Sequence, residues 1–387
     1  MRIALFSWET LHSIPVGGVG VHVTELGAAL QRRGHEVHIF TRRGPGQNDY
    51  DNVLGVHYYR CNFPLHSSFV DEINNMCRAF AARFFGVEDT AGHFDIVHAH
   101  DWLAANAMVW IKQGRGHNTV LTMHSTEYGR NGNRFCGGSA PRVQDQERSA
   151  TYWADKVIAV SSQLKGEVQW LYQLPEYKTR AIHNGVNAEA FDYEADTGEI
   201  KRRYGVAPLD PMVLFAGRLV VQKGPDILLR AIPGLLRHYG NTKFVFAGDG
   251  YMRGELGAMS HQLGISHAVK FLGVRGGREL TDLFKACDIV CVPSRNEPFG
   301  IVILEGWSAK KPVVSTKRGG PAEFVWHEIT GLHVDDAPDS VGWGLGTLLA
   351  DHERCRWMGR NGRAAVDAAF SWDRIAAQTE EVYSEVL

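Results

Sequence analysis

The sequence predicts an α/β protein made of two parallel-sheet domains, on three observations. Its 387 residues are too many for one ordinary core and fit two domains of Rossmann size. Short apolar runs alternate with helical patterns from end to end, as in chains built from βαβ units. A polar stretch at 187–211, with two late prolines, separates two similar series and reads as an interdomain linker carrying one short helix at 199–204. Two such halves suggest a cleft between domains, where small-molecule sites often occur.

The strands expected in the first half are 2–6, 36–40, 56–60, 95–98, 119–123, 156–160 and 179–182. The second half repeats the plan at 212–216, 243–247, 269–272, 288–292, 312–315 and 331–334. A helix at 21–32 follows the first strand, and an amphipathic helix within 370–387 follows a break at Ser371-Trp372. Within 69–85, Phe69, Ile73, Met76, Phe80 and Phe84 share one helical stripe. The other face mixes Asp71 and Glu72 with Arg78 and Arg83, so it lacks the basic bias of a membrane-docking helix. Core packing is the reading for that stripe.

Composition narrows the function. Hydrophobic residues make up 44% and charged residues 22%, the profile of a soluble globular chain. A net charge of −2 gives no electrostatic footprint for nucleic acid or an anionic membrane. No apolar stretch reaches bilayer length, and the opening apolar run breaks at Glu9, as an interior strand does and a targeting segment does not. The six cysteines contain no C-x-x-C pair and read as buried thiols in a reducing, cytoplasmic setting.

The chemistry-bearing strings sit after strands. P-S-R-N-E-P-F-G-I-V-I-L-E, from Pro293 to Glu305, places Glu297 in a loop and Glu305 on the second turn of a helix starting near Gly300. Pro298 stiffens the loop, and Gly300 lets a ligand approach bare backbone. The unpaired N–H groups at Gly300-Ile301-Val302, with the helix dipole, suit a phosphate, and the two carboxylates suit sugar hydroxyls. Arg218 and Lys223, five apart in G-R-L-V-V-Q-K-G, combine a planar fork with a mobile point charge, a pairing suited to a diphosphate. Both groups fall at carboxyl ends of parallel strands, where α/β sheets bind ligands.

In the first half, a glycine-rich turn, Gly17-Gly18-Val19-Gly20, leads into the first helix. A dinucleotide fingerprint is the alternative there, and with it an NAD-dependent oxidoreductase. The spacing is not G-x-G-x-x-G, the preceding loop is long, and Thr41-Arg42-Arg43 stands where an acidic ribose ligand is expected. His98-Ala99-His100-Asp101-Trp102 puts Asp101 at a helix N-cap position, which by itself would explain an Asp. His124 follows another strand. The His-x-His pair with Asp101 raises a metal site, set aside because no third ligand cluster accompanies it in sequence.

Taken together, these strings resemble the retaining glycosyltransferases of family 4 and the GT-B fold, glycogen-synthase-like members in particular. The resemblance spans nearly the whole chain and implies two Rossmann-like domains facing across a cleft. It implies an acceptor-side domain at 1–190, closed by the final helix at 370–387, and a nucleotide-sugar domain at 205–369. The implied reaction moves glucose or a related hexose from ADP- or UDP-sugar to a hydroxyl acceptor, with no cofactor and no metal. Carried over residue by residue, Arg218 and Lys223 hold the diphosphate with Gly18, Gly300, Ile301 and Val302. Glu305 holds the ribose, Glu297 and Phe299 lie at the donor, and His124 and Asp101 position sugar and acceptor. F-S-W-E, H-A-H-D-W and H-S-T-E-Y-G lean toward an α-glucan or small glucoside acceptor; lipid, cell-wall and small-molecule acceptors stay open, as does a homo-oligomer. Two departures bear on this: Pro15-Val16 precede Gly17 where bacterial glycogen synthases usually carry a Lys, and Asn187 replaces an Asp in N-G-V-D.

Overall fold

Fourteen strands form, thirteen of them where the apolar runs fall, in a computed structural model that describes residues 1–387. Strands β1 (Arg2–Phe6), β2 (Glu36–Arg42), β3 (Tyr50–Val53), β4 (Val56–Cys61), β5 (Ile96–His100), β6 (Thr119–Met123), β7 (Lys156–Ala159) and β8 (Thr179–Ala181) form one sheet. Strands β9 (Met212–Ala216), β10 (Lys243–Ala247), β11 (Val269–Gly273), β12 (Ile289–Val292), β13 (Val313–Thr316) and β14 (Gly331–Val334) form the other. The chain divides into one unit of Met1–Gly185 with Trp372–Leu387 and a second of Val186–Ser371.

The first sheet runs β3-β4-β2-β1-β5-β6-β7-β8, parallel except for β3. Its central strands are covered on both faces, which is why they read as unbroken apolar runs. Leu5 and Ile39 pack with Val23, Leu26 and Leu30 of the helix Gly18–Arg32 and with Ile375 and Tyr383 of the helix Trp372–Ser384. On the other face Phe6 stacks on Phe40 at 4.9 Å and meets Phe80 and Phe84 of the helix Phe69–Ala91. The stripe is therefore core, save Phe69, which is half exposed and edge-on to Trp8 and Trp102. The final helix is tied to the first by Arg32–Asp373 and Arg33–Glu380 ion pairs, both at 2.6 Å.

The second sheet runs β11-β10-β9-β12-β13-β14, which within the unit is the order 3-2-1-4-5-6 of a Rossmann domain. The stretch at 187–211 is not a free linker. Phe191, Ile200 and Val206 are buried, Lys201 pairs with Asp288 at 2.9 Å, and Asp192 pairs with Arg363 at 2.6 Å, all within the second unit. Its short helix is Thr197–Arg203. No helix is long and apolar enough to cross a membrane.

Candidate active site

In an open α/β sheet, ligands bind beyond the carboxyl ends of the strands, where the strand order reverses. In the second unit that point lies between β9 and β12. The loop after β9 carries Arg218 and Lys223, and the loop after β12 carries Glu297, so the fold brings the two strings together. Lys223 Nζ donates to both Glu297 carboxylate oxygens at 2.8 Å, and Ser294 Oγ donates to one at 2.9 Å. Glu297 is 4% exposed. Its backbone N–H donates to Arg318 O and its carbonyl accepts from Gly320 N–H, both at 2.8 Å. Gly319, at φ +96°, makes this clamp feasible: a Cβ there would lie 2.0 Å from Glu297 O.

Arg218 is exposed, with one guanidinium nitrogen 3.5 Å from Gln222 Oε1, and so remains available to a ligand. Arg295, in the same string as Glu297, instead forms a bidentate pair with Asp226 that ties the two loops down.

Gly300 adopts φ +103° and caps the helix Ile301–Ser308, leaving the first N–H groups, of Ile301 and Val302, without intrahelical acceptors. Glu305 is half-buried on that helix, and burial, with no partner to offset it, pushes its carboxyl up to about 7. Phe299 does not offer its ring to a ligand: it is buried against Phe324 and Phe370.

The corresponding point in the first unit lies between β1 and β5. β5 extends to His100, so both histidines of the H-A-H string are inside the strand and buried. Asp101 is not the N-cap. His100 takes that position, and Asp101 is the first helical residue, with φ +58°. Its carboxylate accepts from His124 N–H at 2.7 Å and Ser125 N–H at 3.4 Å, fastening the end of β5 to that of β6. His100 Nδ1 lies 3.2 Å from His124 Nε2. Desolvation drives the His100 imidazole well below its ordinary pKa and His124 down to about 3, so both are neutral.

Three residues of this neighbourhood were not singled out from sequence. Glu9, buried in the loop after β1, accepts from Val16 N–H at 2.6 Å and Gly17 N–H at 2.5 Å. The glycine-rich turn thus already holds a carboxylate of its own chain, while Gly18 itself is exposed. Burial raises the Glu9 pKa, and the turn's N–H groups pull it back. His22 and Asn184, joined at 2.7 Å, come from opposite ends of the unit's sequence. The NAD reading loses its place as well: Arg42 at the end of β2 donates to Trp8 O and lies 3.6 Å over the Trp8 ring.

A family model described as glycosyltransferase family 4 matches residues 16–190, and one described as glycosyl transferases group 1 matches 196–365. The chain is 37% identical to an uncharacterized glycosyltransferase of Methanocaldococcus jannaschii, over 99% of this chain and 98% of that one. It is 30% identical to a glycogen synthase of Mycobacterium tuberculosis (99% and 94% covered) and to a D-inositol 3-phosphate glycosyltransferase of Xylanimonas cellulosilytica (99% and 96%). Among solved structures, sucrose-phosphate synthase from Thermosynechococcus elongatus superposes with a TM-score of 0.85 at 24% identity, covering 99% and 98% of the two chains. An Anabaena protein crystallised with UDP and glucose gives 0.80 at 22%, covering both chains fully. Matched in each half by these models and along its length by these relatives, the chain belongs to the family 4 glycosyltransferases, enzymes of the GT-B fold.

Proposed function

We propose that this glycosyltransferase moves glucose or a related hexose from a nucleoside diphosphate sugar to a hydroxyl acceptor, with retention and without a metal. The observation that carries the reading is the Lys223–Glu297 pair at the strand-order reversal of the second unit, beside the open N-terminus of the helix Ile301–Ser308. Charge grows on the departing diphosphate as the bond to sugar breaks. Arg218, Lys223 and the N–H groups of Gly300, Ile301 and Val302 would meet it with fixed positive potential. Glu305, a carboxyl without a partner, is suited to accept from the nucleotide ribose. Glu297, held rigidly from both its backbone and its side chain, would accept from the transferred sugar. Phe299 contributes through the loop backbone alone.

The first unit is proposed as the acceptor side. Asp101 fixes the His124 backbone, His124 offers a neutral ring and its carbonyl to the sugar, and Gly18 lets the glycine-rich turn approach without a side chain. No side chain stands out as a covalent nucleophile, which fits a same-face displacement. The acceptor read first is an α-glucan, supported by the glycogen synthase relative and by the H-A-H-D-W and H-S-T-E-Y-G strings. A small-molecule acceptor is the second reading, because a D-inositol 3-phosphate glycosyltransferase matches at the same identity over the same share of this chain. All six cysteines are unpaired and five are buried, which favours a cytoplasmic setting.

The deciding experiment incubates the enzyme with ADP-, UDP- and GDP-sugars, alone and with glycogen or inositol phosphate, and follows nucleotide release and the anomer formed. Consumption of ADP- or UDP-glucose only with glucan, giving an α-linked product, is expected. An inverted product would overturn retention, and turnover only with inositol phosphate would replace the glucan reading.

A further inference from the structure

We propose that His22, His100 and His124 form a binding site for one divalent transition-metal ion of the zinc, cobalt or nickel class. The three come from separate elements: His22 from the helix Gly18–Arg32, His100 from the last position of β5, and His124 from the residue after β6. Each offers a ring nitrogen, and these atoms lie within 4.8 Å of one another. His100 Nδ1 and His124 Nε2 are already 3.2 Å apart. Two nitrogens bound to zinc at 2.0–2.1 Å with a tetrahedral angle stand roughly 3.3 Å apart, so this pair is at chelating distance. Closing the triangle means shortening separations of up to 4.8 Å by about 1.5 Å, which side-chain rotations shared between the rings can supply.

A second, independent observation points to a ligand. His22 Nε2 is buried and has no hydrogen-bond partner, and the same is true of His100 Nε2. Buried polar atoms are nearly always satisfied, so the His22 orphan calls for a group that takes a lone pair; the His100 orphan is on the far side of its ring from Nδ1 and would carry the proton when Nδ1 binds the ion. On His22 the tautomer is set by Asn184, whose Oδ1 lies 2.7 Å from Nδ1. The proton then sits on Nδ1 and Nε2 carries the lone pair, with the His124 ring 4.6 Å away between centroids. Such an outer hydrogen bond is how metal-bound histidines are usually oriented.

The surroundings finish the site. His98 is not a ligand, because Tyr383 and Thr122 occupy both its nitrogens at 2.7 Å; it stacks under His100 at 4.3 Å and holds that ring in place. Trp372 walls off His22 edge-on at 5.3 Å. Burial keeps the three imidazoles neutral, as metal ligands must be. An all-imidazole set with no carboxylate favours zinc, cobalt, nickel or copper over magnesium or calcium. His124 is the least buried of the three, and a water would complete a tetrahedral set as fourth ligand.

The consequence for activity rests on the role proposed above for His124. An ion there would occupy its ring, so zinc should inhibit transfer. Binding is tested without reference to activity. The full chain is titrated with Co²⁺ and followed by visible absorption, then Zn²⁺ is added to displace the cobalt. One ion per chain with the intense bands of low coordination is expected. His22→Gln and His100→Gln should each weaken binding by at least tenfold, and Asn184→Ala, which keeps all three rings, by about tenfold. Zinc-edge X-ray absorption on the wild-type protein, which needs no variant to fold, should show about three imidazole ligands. A weak octahedral cobalt spectrum, a zinc edge without imidazole scattering, or affinity unchanged in folded His22→Gln overturns the site. If cobalt binds as expected but zinc leaves nucleotide-sugar turnover intact, the site stands and the part given to His124 in transfer falls.

Discussion

The two units place their polar residues at the same point of the same kind of sheet, yet their electrostatics are opposite. In the second unit the reversal between β9 and β12 gathers full charges: an exposed Arg218, Lys223 paired with a buried Glu297, and Glu305 with no partner. In the first, the reversal between β1 and β5 gathers imidazoles that burial holds neutral, with Asp101 committed to backbone N–H groups. What separates them is pairing and depth rather than topology. A diphosphate requires mobile or exposed positive charge, whereas hydroxyl groups and soft cations are better served by neutral, fixed lone pairs.

The largest expected effect tests the charged half. Arg218→Ala and Lys223→Ala should each lower kcat by about 10²–10³-fold, as loss of one preorganised donor to a developing anion does. Stability then distinguishes them. Arg218 is exposed, so its loss should change unfolding free energy by under about 0.5 kcal/mol. Lys223→Ala leaves Glu297, 4% exposed, with only Ser294 as side-chain donor, and should cost about 3 kcal/mol. Arg218→Lys should also fail, since a point charge cannot replace a bidentate fork. Steady-state kinetics with urea unfolding decide the matter; near-wild-type kcat in both alanine variants removes this loop from the reaction.

The neutral half is tested through Asp101. Its φ of +58° is a conformation that Asp and Asn tolerate best among residues with a side chain. Asp101→Ala keeps the strain and strips the acceptor from His124 and Ser125 N–H, so a loss of about 2–3 kcal/mol is expected. Asp101→Asn retains both an acceptor and the backbone preference and should lose under about 1 kcal/mol. Equal losses in the two variants, read from urea midpoints, would mean that the carboxylate does not act as the staple.

The same contrast explains what could be read from sequence. Parallel strands covered on both faces are short apolar runs, so thirteen of fourteen strands were legible. The exception, β3, is a polar edge strand, Y-D-N-V, paired only with β4 through Leu54-Gly55, both at positive φ. The stretch at 187–211 misled for a related reason: its buried residues, Phe191, Ile200 and Val206, are spread thinly among charges. Arg218, Lys223, Glu297 and Glu305 were visible because each pair lies within one contiguous string. Glu9 and His22 were not, since their partners come from folding: His22 meets Asn184 across 162 residues. Glu9 appeared in sequence only as the last residue of F-S-W-E, with nothing in the string to show that it would hold the glycine-rich turn.

Glu305 gives a smaller, pH-dependent effect that sharpens the comparison. Its carboxyl is raised from 4.5 to about 7, whereas a ribose hydroxyl donates best to the ionised form. Below about pH 7 binding must therefore expel a proton, so nucleotide affinity should rise by up to tenfold per pH unit and level off above it. Stability moves the other way: the folded state holds the proton that the unfolded chain releases, so the protein without nucleotide loses stability from pH 4.5 to about 7. Calorimetry of UDP and ADP binding in buffers of different ionisation enthalpy reads the released proton directly. Glu305→Gln should flatten the profile and weaken binding, while Glu297→Ala should act mainly on kcat. A pH-independent affinity in the wild type would reassign Glu305.

The smallest expected effect is that of chelation. In the proposed reaction the departing diphosphate would be met by Arg218, Lys223 and the start of the helix Ile301–Ser308, which together would supply the positive potential that a magnesium ion provides in other transferases. Glu297, the carboxylate at the centre of this group, already has Lys223 as counter-ion at 2.8 Å, so a second cation there would compete with an existing pair. Excess EDTA should thus change the initial rate by less than about twofold. Any change should be upward, through removal of trace zinc from the histidine cluster of the first unit. The assay compares enzyme passed through a chelating column with the same enzyme given Mg²⁺, Mn²⁺ or Zn²⁺. Activity lost on chelation and restored by Mg²⁺ or Mn²⁺ would show that the charged half is incomplete without a metal, and that Arg218 and Lys223 bind the donor rather than replace the ion.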